Sequence, residues 1–155
     1  MSWNIGAQQE LWRIEQSLQS NYRYDSTLLD EYSRMLGDAV RNGDEPSIVC
    51  FAWYTALEAA RGLKDMGLWN PRELGELLVA KQHDYGHDNI NAFGQIGIAV
   101  RMSDKIARFY NLQKRQADAK NEPFVDCLKD MVGYGVISAM LAADTFNQEL
   151  EEPEV

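Results

Sequence analysis

The sequence predicts an all-α fold: about six helices in one compact, bundle-like domain. Three observations carry that expectation. Apolar residues recur at helical spacing along most of the chain. No Asn-Gly or Asp-Gly turn joins two alternating runs, and the Asn42-Gly43 pair follows a helical pattern instead. Capping residues, first-turn prolines and stop glycines punctuate the chain at helix-length intervals.

The elements follow in order. Residues 7–20 read as an amphipathic helix with Leu11, Trp12, Ile14 and Leu18 at apolar positions. Ser26 is placed to cap a second helix running to about Arg41, which Gly43 ends. Pro46 sits where a first-turn proline is tolerated, and a third helix runs from it to about Met66, with Gly67 as its stop. The uncharged run Ser47–Leu57 implies burial on most sides. Asn70 caps a fourth helix, Pro71 takes its first position, and Glu73 is spaced to reach back to the Asn70 amide. That helix runs to about His83–Tyr85, with Gly86 just past its end. Asp88 or Asn89 caps a fifth helix, expected to continue to about Gln113. A polar linker, Lys114–Glu122, leads to Pro123 and a sixth helix ending near Gln148. The expected domain covers residues 1–147, a core over 70–147 preceded by N-terminal helices over 7–66. Residues 148–155, with Glu149, Glu151, Glu152 and Glu154, read as a solvated acidic tail.

Bulk properties narrow the function. A chain of 155 residues is one domain by length and needs no covalent staple. A formal charge of −9 argues against direct nucleic-acid binding. The longest uncharged run, Met131–Ala143, falls short of the roughly 20 residues a membrane span needs. Met1–Asn21 has no signal-peptide character. The expectation is a soluble, cytoplasmic protein that avoids membranes. Cys50 and Cys127 lie in apolar helical patterns and are expected to be buried free thiols. Trp3, Trp12, Tyr22 and Tyr24 offer surface for a homodimer.

Candidate chemistry collects in the second half. Arg101, Lys105 and Arg108 share a helical stripe beside the apolar Met102, Ile106 and Phe109. Residues 101–120 hold six basic against two acidic residues, a local +4 in an acidic chain. Cations so placed can hold phosphates at a pocket mouth. They can equally form a solvated face with an Asp104–Arg108 pair. Asp126 and Asp130 lie four apart on one face, continued by Gly133 and Ile137. Two such acids repel unless a cation is shared, and Mg²⁺ suits them; pairing with the bases of the fifth helix is the alternative. Glu73 and Glu76 form an E-x-x-E pair from which Glu76 could join a metal site or lie at the surface. His83 and His87 are spaced i, i+4, but Gly86 falls between them where the helix should end, so His87 is expected to take no part. No Ser–His–Asp order, G-x-S-x-G elbow or phosphate-binding G-x-x-x-x-G-K-[ST] loop occurs.

The segments K-Q-H-D-Y-G (81–86), A-F-G (92–94), R-M-S-D-K-I-A-R-F-Y-N-L (101–112) and D-C-L-K-D-M-V-G-Y (126–134) together resemble the nucleotide modification associated domain 1 family of phages and bacteria. The likeness spans residues 81–141. The helical layout also resembles, distantly, the all-α nucleoside triphosphate pyrophosphohydrolases of the MazG and dimeric dUTPase kind. These resemblances imply a nucleotide ligand, Mg²⁺ and a dimer. Asp126 and Asp130 would match the second acidic pair of those hydrolases, at i, i+4 in place of i, i+3, with Glu73 and Glu76 as the first. On this reading Asp126, Asp130 and Asp104 are catalytic, and Asp126, Asp130 and Glu76 hold the metal. Lys81, Arg101, Lys105 and Arg108 hold phosphates; Tyr85, Phe93 and Tyr134 pack the base, and Asp84 or His83 reads its edge. The expected activity is pyrophosphate release from a (d)NTP or modified nucleotide. The alternatives are a non-catalytic nucleotide-sequestering or accessory protein, including a counter-defence one, and a structural interaction module.

Overall fold

Helix α1 (Trp3–Ser17) starts earlier than the periodicity suggests, because the Ser2 hydroxyl accepts a hydrogen bond from the Ile5 amide at 3.2 Å. Its buried face carries Trp3, Ala7, Leu11 and Ile14, while Trp12, expected to be apolar-facing, is 55% exposed. The structure, a computed structural model, describes residues 1–115 and 121–152, the side chains of 121–123 excepted. The expected linker Lys114–Glu122 therefore lies largely outside the described residues.

Helix α2 spans Thr27–Arg41 and α3 spans Glu45–Asp65. Ser26 stands at the N-cap of α2 but makes no capping bond. Asp25 takes that role, accepting from the Thr27 amide at 3.0 Å and the Thr27 hydroxyl at 2.6 Å. Asp44 caps α3 by accepting from Ser47 N at 3.2 Å and Ser47 Oγ at 2.6 Å. Inside α3, Glu58 is fully buried, held by Arg61 Nη1 at 2.9 Å and by the Asp25 amide at 3.0 Å. A buried carboxylate needs such partners. Glu58 thereby ties the 18–26 connection down, and Lys64 Nζ adds a bond to the Leu18 carbonyl at 2.7 Å.

Helix α4 spans Pro71–Tyr85 as expected, with Asn70 Oδ1 accepting from the Glu73 amide at 3.1 Å. The reciprocal bond expected from the Glu73 side chain is not made. The expected fifth helix is two. A short α5 (Asp88–Asn91) stops at Ala92–Phe93, and α6 (Gly94–Lys114) restarts from Gly94, whose φ of 56° is in the left-handed region. Helix α7 spans Asn121–Ala142, ending before the expected Gln148. Asp144 turns the chain at φ 60°, so that Phe146 folds back onto the core.

The described residues thus form seven α-helices and no strand. Helices α3 and α7 pack against each other at the centre. Helices α2 and α6 close one side of that pair, and α1 and α4 the other. All seven contribute to one hydrophobic core. Gly135 lets α7 approach α3 closely: a Cβ there would fall on Ala56 Cβ and stand 3.0 Å from the Ala52 carbonyl oxygen. Between α6 and α7 a buried reciprocal pair forms, Gln95 Nε2 donating to the Ser138 carbonyl at 2.9 Å and Ser138 Oγ to Gln95 Oε1 at 2.7 Å.

The segment read as a solvated tail is tied down over its first residues. The Trp3 amide donates to the Glu149 carbonyl at 2.9 Å, and the Glu151 amide to Asn4 Oδ1 at 3.0 Å. Residues 153–155 lie outside the described residues. Cys127 is buried as expected, but Cys50 is exposed, because it lies on the outer side of α3. Trp3 is fully buried and Tyr24 partly so, which takes the first off the surface expected to serve a dimer and leaves only part of the second on it. No described helix is long and apolar enough to cross a membrane.

A candidate anion site between helices α4, α6 and α7

Helices α4, α6 and α7 meet around a cleft of about 340 Å³. Its floor is apolar: Leu74 and Leu78 of α4, Ile90 of α5 and Ile137 of α7. Gly133 leaves room for the Leu78 side chain, since a Cβ at that position would stand 2.9 Å from Leu78 Cδ2. Around the rim stand Lys81 and Tyr85 from α4, Arg101 and Lys105 from α6, and Lys129, Asp130 and Tyr134 from α7.

Asp130 is the hub of this rim. Lys81 Nζ lies 3.0 Å from Asp130 Oδ1, and Lys105 Nζ lies 3.0 Å from Asp130 Oδ2. One carboxylate therefore bridges two ammonium groups brought from two helices. The hydrogen bond to Asp130 raises the pKa of Lys105 above its ordinary value, against the opposing effect of its partial burial. The pair's stabilisation is fully present below the ordinary lysine pKa and is lost as pH rises through the raised one. Among the described residues Arg101 makes one side-chain hydrogen bond, to the Asn89 carbonyl at 3.5 Å. Neither Arg101 nor Lys129 has a carboxylate within 4.0 Å among the described residues. Among the described residues the cleft lining thus carries four cations against one anion, a net +3, in a chain whose formal charge is −9.

Of the residues singled out in the sequence, the cleft gathers Lys81, Tyr85, Arg101, Lys105, Asp130 and Tyr134. It does not gather the others. Arg108 and Asp104 are exposed outside it and form no ion pair with each other. Phe93 is 73% exposed at the start of α6, so it is not positioned to pack a base there. Asp84, His83 and Glu76 line a second, more open groove between α1 and α4, with Asn4 and Gln8. Lys129 and Asn89 are cleft residues that the spacing argument missed. Lys129 precedes Asp130 in the chain, so it sits at the edge of the 130–133–137 face rather than on it.

The residues present do not fit Mg²⁺. Both Asp130 oxygens are engaged by ammonium groups. Asp126 is exposed and outside the cleft. Glu76 is in the other groove, 3.6 Å from Arg72. Among the described residues no group of three or more His, Cys, Asp or Glu is arranged to hold a metal ion. The catalytic set Asp126, Asp130 and Asp104 is likewise not gathered in the cleft: Asp130 lines it, whereas Asp126 and Asp104 are exposed outside it.

His87 holds structure together, contrary to the expectation of a bystander. Gln82 Nε2 donates to the Gly86 carbonyl at 2.9 Å and meets His87 Nδ1 at 2.5 Å. Nδ1 therefore accepts, and Nε2 donates to the Gln148 carbonyl at 3.0 Å. The ring also lies 5.3 Å from that of Phe146, which meets Trp3 edge-on at 6.3 Å.

The fold and the site define an all-α protein with a cation-rimmed, apolar-floored cleft and a single carboxylate at its centre. Compared with models of protein families, with curated proteins and with solved structures, the chain matches none.

Proposed function

We propose that this cleft binds a phosphorylated nucleoside, and that it does so without a divalent metal. The observation that carries the proposal is the net +3 of the cleft lining in a chain of formal charge −9. Clustered cations over an apolar floor recognise phosphate through charge-assisted hydrogen bonds while the rest of a ligand is desolvated. Tyr85 and Tyr134 at the rim supply aromatic faces for a base. A volume of about 340 Å³ suits a small molecule rather than a polymer. The resemblance of the 81–86, 101–112 and 126–134 motifs to a nucleotide-modification family adds support, since every rim residue comes from them. Binding is favoured over pyrophosphate release because Asp130 alone of the candidate acids lines the cleft, and lysines engage both its oxygens.

Thermal-shift and calorimetric titration of a nucleotide panel, with Mg²⁺ and with EDTA, tests this. A ligand at about 100 times its Kd should stabilise the protein by about 2.7 kcal/mol. The shift is expected to be the same in EDTA, and the ligand to be recovered unchanged. No shift with any canonical or modified nucleotide would refute nucleotide binding. Mg²⁺-dependent pyrophosphate release would restore the hydrolase reading in its place.

A further inference from the structure

We propose that Asp130 is an internal stand-in for the ligand: its carboxylate occupies the seat between Lys81 and Lys105 that a terminal phosphate takes on binding. This rests on the phosphate-binding reading of the cleft.

Three features lead to it. The Asp130 side chain is only 18% exposed, and each of its two oxygens faces a different ammonium at 3.0 Å. Those ammonium groups come from α4 and α6, so the carboxylate is what allows two like charges to converge at one place. Each ammonium has three donors, and Asp130 uses one of each; no other protein acceptor engages them among the described residues. A two-oxygen anion therefore leaves the seat under-used. A phosphate with three terminal oxygens fills it better.

The exchange sets a charge threshold. A ligand entering the seat displaces one negative charge, or binds beside it against repulsion. A terminal phosphate is close to a dianion at neutral pH, so it exceeds what it replaces. A phosphodiester is a monoanion and offers only two charged oxygens, so it merely matches the carboxylate. The ligand class is therefore a phosphomonoester or diphosphate terminus. Phosphodiesters, including cyclic nucleotides and nucleic-acid backbones, are excluded. Asp130 is the residue that excludes them.

Calorimetry with inorganic pyrophosphate and dimethyl phosphate separates the two classes without any base contribution. Wild type should bind pyrophosphate at least about 10-fold more tightly than dimethyl phosphate. Asp130→Asn, of the same shape without the charge, should gain at least about 10-fold for dimethyl phosphate, which is about 1.4 kcal/mol, and narrow the ratio. An Asp130→Asn protein that binds both anions no better than wild type would overturn the proposal, because the carboxylate would then not be competing with the ligand for the seat. Nucleotides that stabilise wild type while neither anion binds would also overturn it, yet leave nucleotide binding standing. If no phosphate compound of any kind binds, both readings fall together. Circular dichroism checks that Asp130→Asn folds. Should it not, a crystal structure of wild type with pyrophosphate decides the matter. Phosphate oxygens on Lys81 Nζ and Lys105 Nζ, with Asp130 displaced, are expected; both lysine–Asp130 bonds intact would overturn it.

Discussion

Replacing Gly135 by alanine puts a methyl group where the two central helices are closest. The new Cβ would fall on Ala56 Cβ and stand 3.0 Å from the Ala52 carbonyl oxygen, whereas relaxed carbon contacts are about 3.5–4.0 Å. Both obstacles are backbone or backbone-adjacent, so no flexible side chain can swing away. Helix α7 must move off α3, and the fit of the core between them loosens. Overpacking of this kind costs about 1–3 kcal/mol, and rigid neighbours place it at the upper end. Alanine recovers about 1 kcal/mol of helix propensity over glycine. The net expectation is a loss of about 2 kcal/mol, or about 4–8 °C in Tm for a chain of this length. Gly37→Ala in α2 is the internal control. Its Cβ would meet only the Arg41 guanidinium, at 3.4 Å, so propensity should win and Tm should rise by about 2–4 °C. Thermal unfolding followed by circular dichroism or calorimetry reads both. A Gly135→Ala protein melting at or above wild type would refute the close-packing argument.

Phe146→Ala should cost about 3–5 kcal/mol, since Phe146 is fully buried against Trp3 and His87; a Tm unchanged within error would show that the C-terminal segment does not close the core. Arg101→Met should weaken nucleotide binding about 10-fold while leaving Tm nearly unchanged, because Arg101 makes only a long contact to Asn89; calorimetry beside a melt separates the two effects. The Asp44 carboxyl is held below its ordinary pKa by the Ser47 hydroxyl, then by the Ser47 amide. A depressed carboxyl pKa stabilises the fold above its unfolded value, about 3.9, and that stabilisation is lost as pH falls through the folded value. Asp44→Ala should therefore flatten the acid limb of the stability profile, and an unaltered limb would refute the cap. Tyr110→Phe removes a hydroxyl that donates to the Ser26 carbonyl and accepts from the Asp30 amide at 3.1 Å, so about 1 kcal/mol should be lost in denaturant unfolding.

The residues that start and stop helices were the most legible part of the sequence. Asn70, Pro71 and Gly86 bracket α4 as their chemistry demands, because capping and left-handed stops are decided within a few residues. Local signals erred where two candidates competed or where distant contacts ruled. Ser26 occupies the cap position, yet Asp25 makes the bond. Gly94 breaks what its neighbours' periodicity joins. Helix α7 ends early because Phe146 is drawn back onto Trp3, a partner from the other end of the chain.

Helical class, most helix boundaries and the stripe that brings Arg101 and Lys105 onto one side of α6 all follow from local pattern, since a 3.6-residue period places them without reference to any other segment. Spacing also marked Asp130, while Lys81, Tyr85 and Tyr134 were expected only from the resemblance of their segments to a known family. Which of the marked residues meet depends on how the helices pack. Sequence spacing orders residues along one helix but says nothing of the rotation of that helix about its axis against its neighbours. That rotation turns Lys81 toward Asp130 and sends Glu76 and Asp84, on the same helix, into another groove. It converts an expected pair of metal-binding acids into a single carboxylate shared by two lysines.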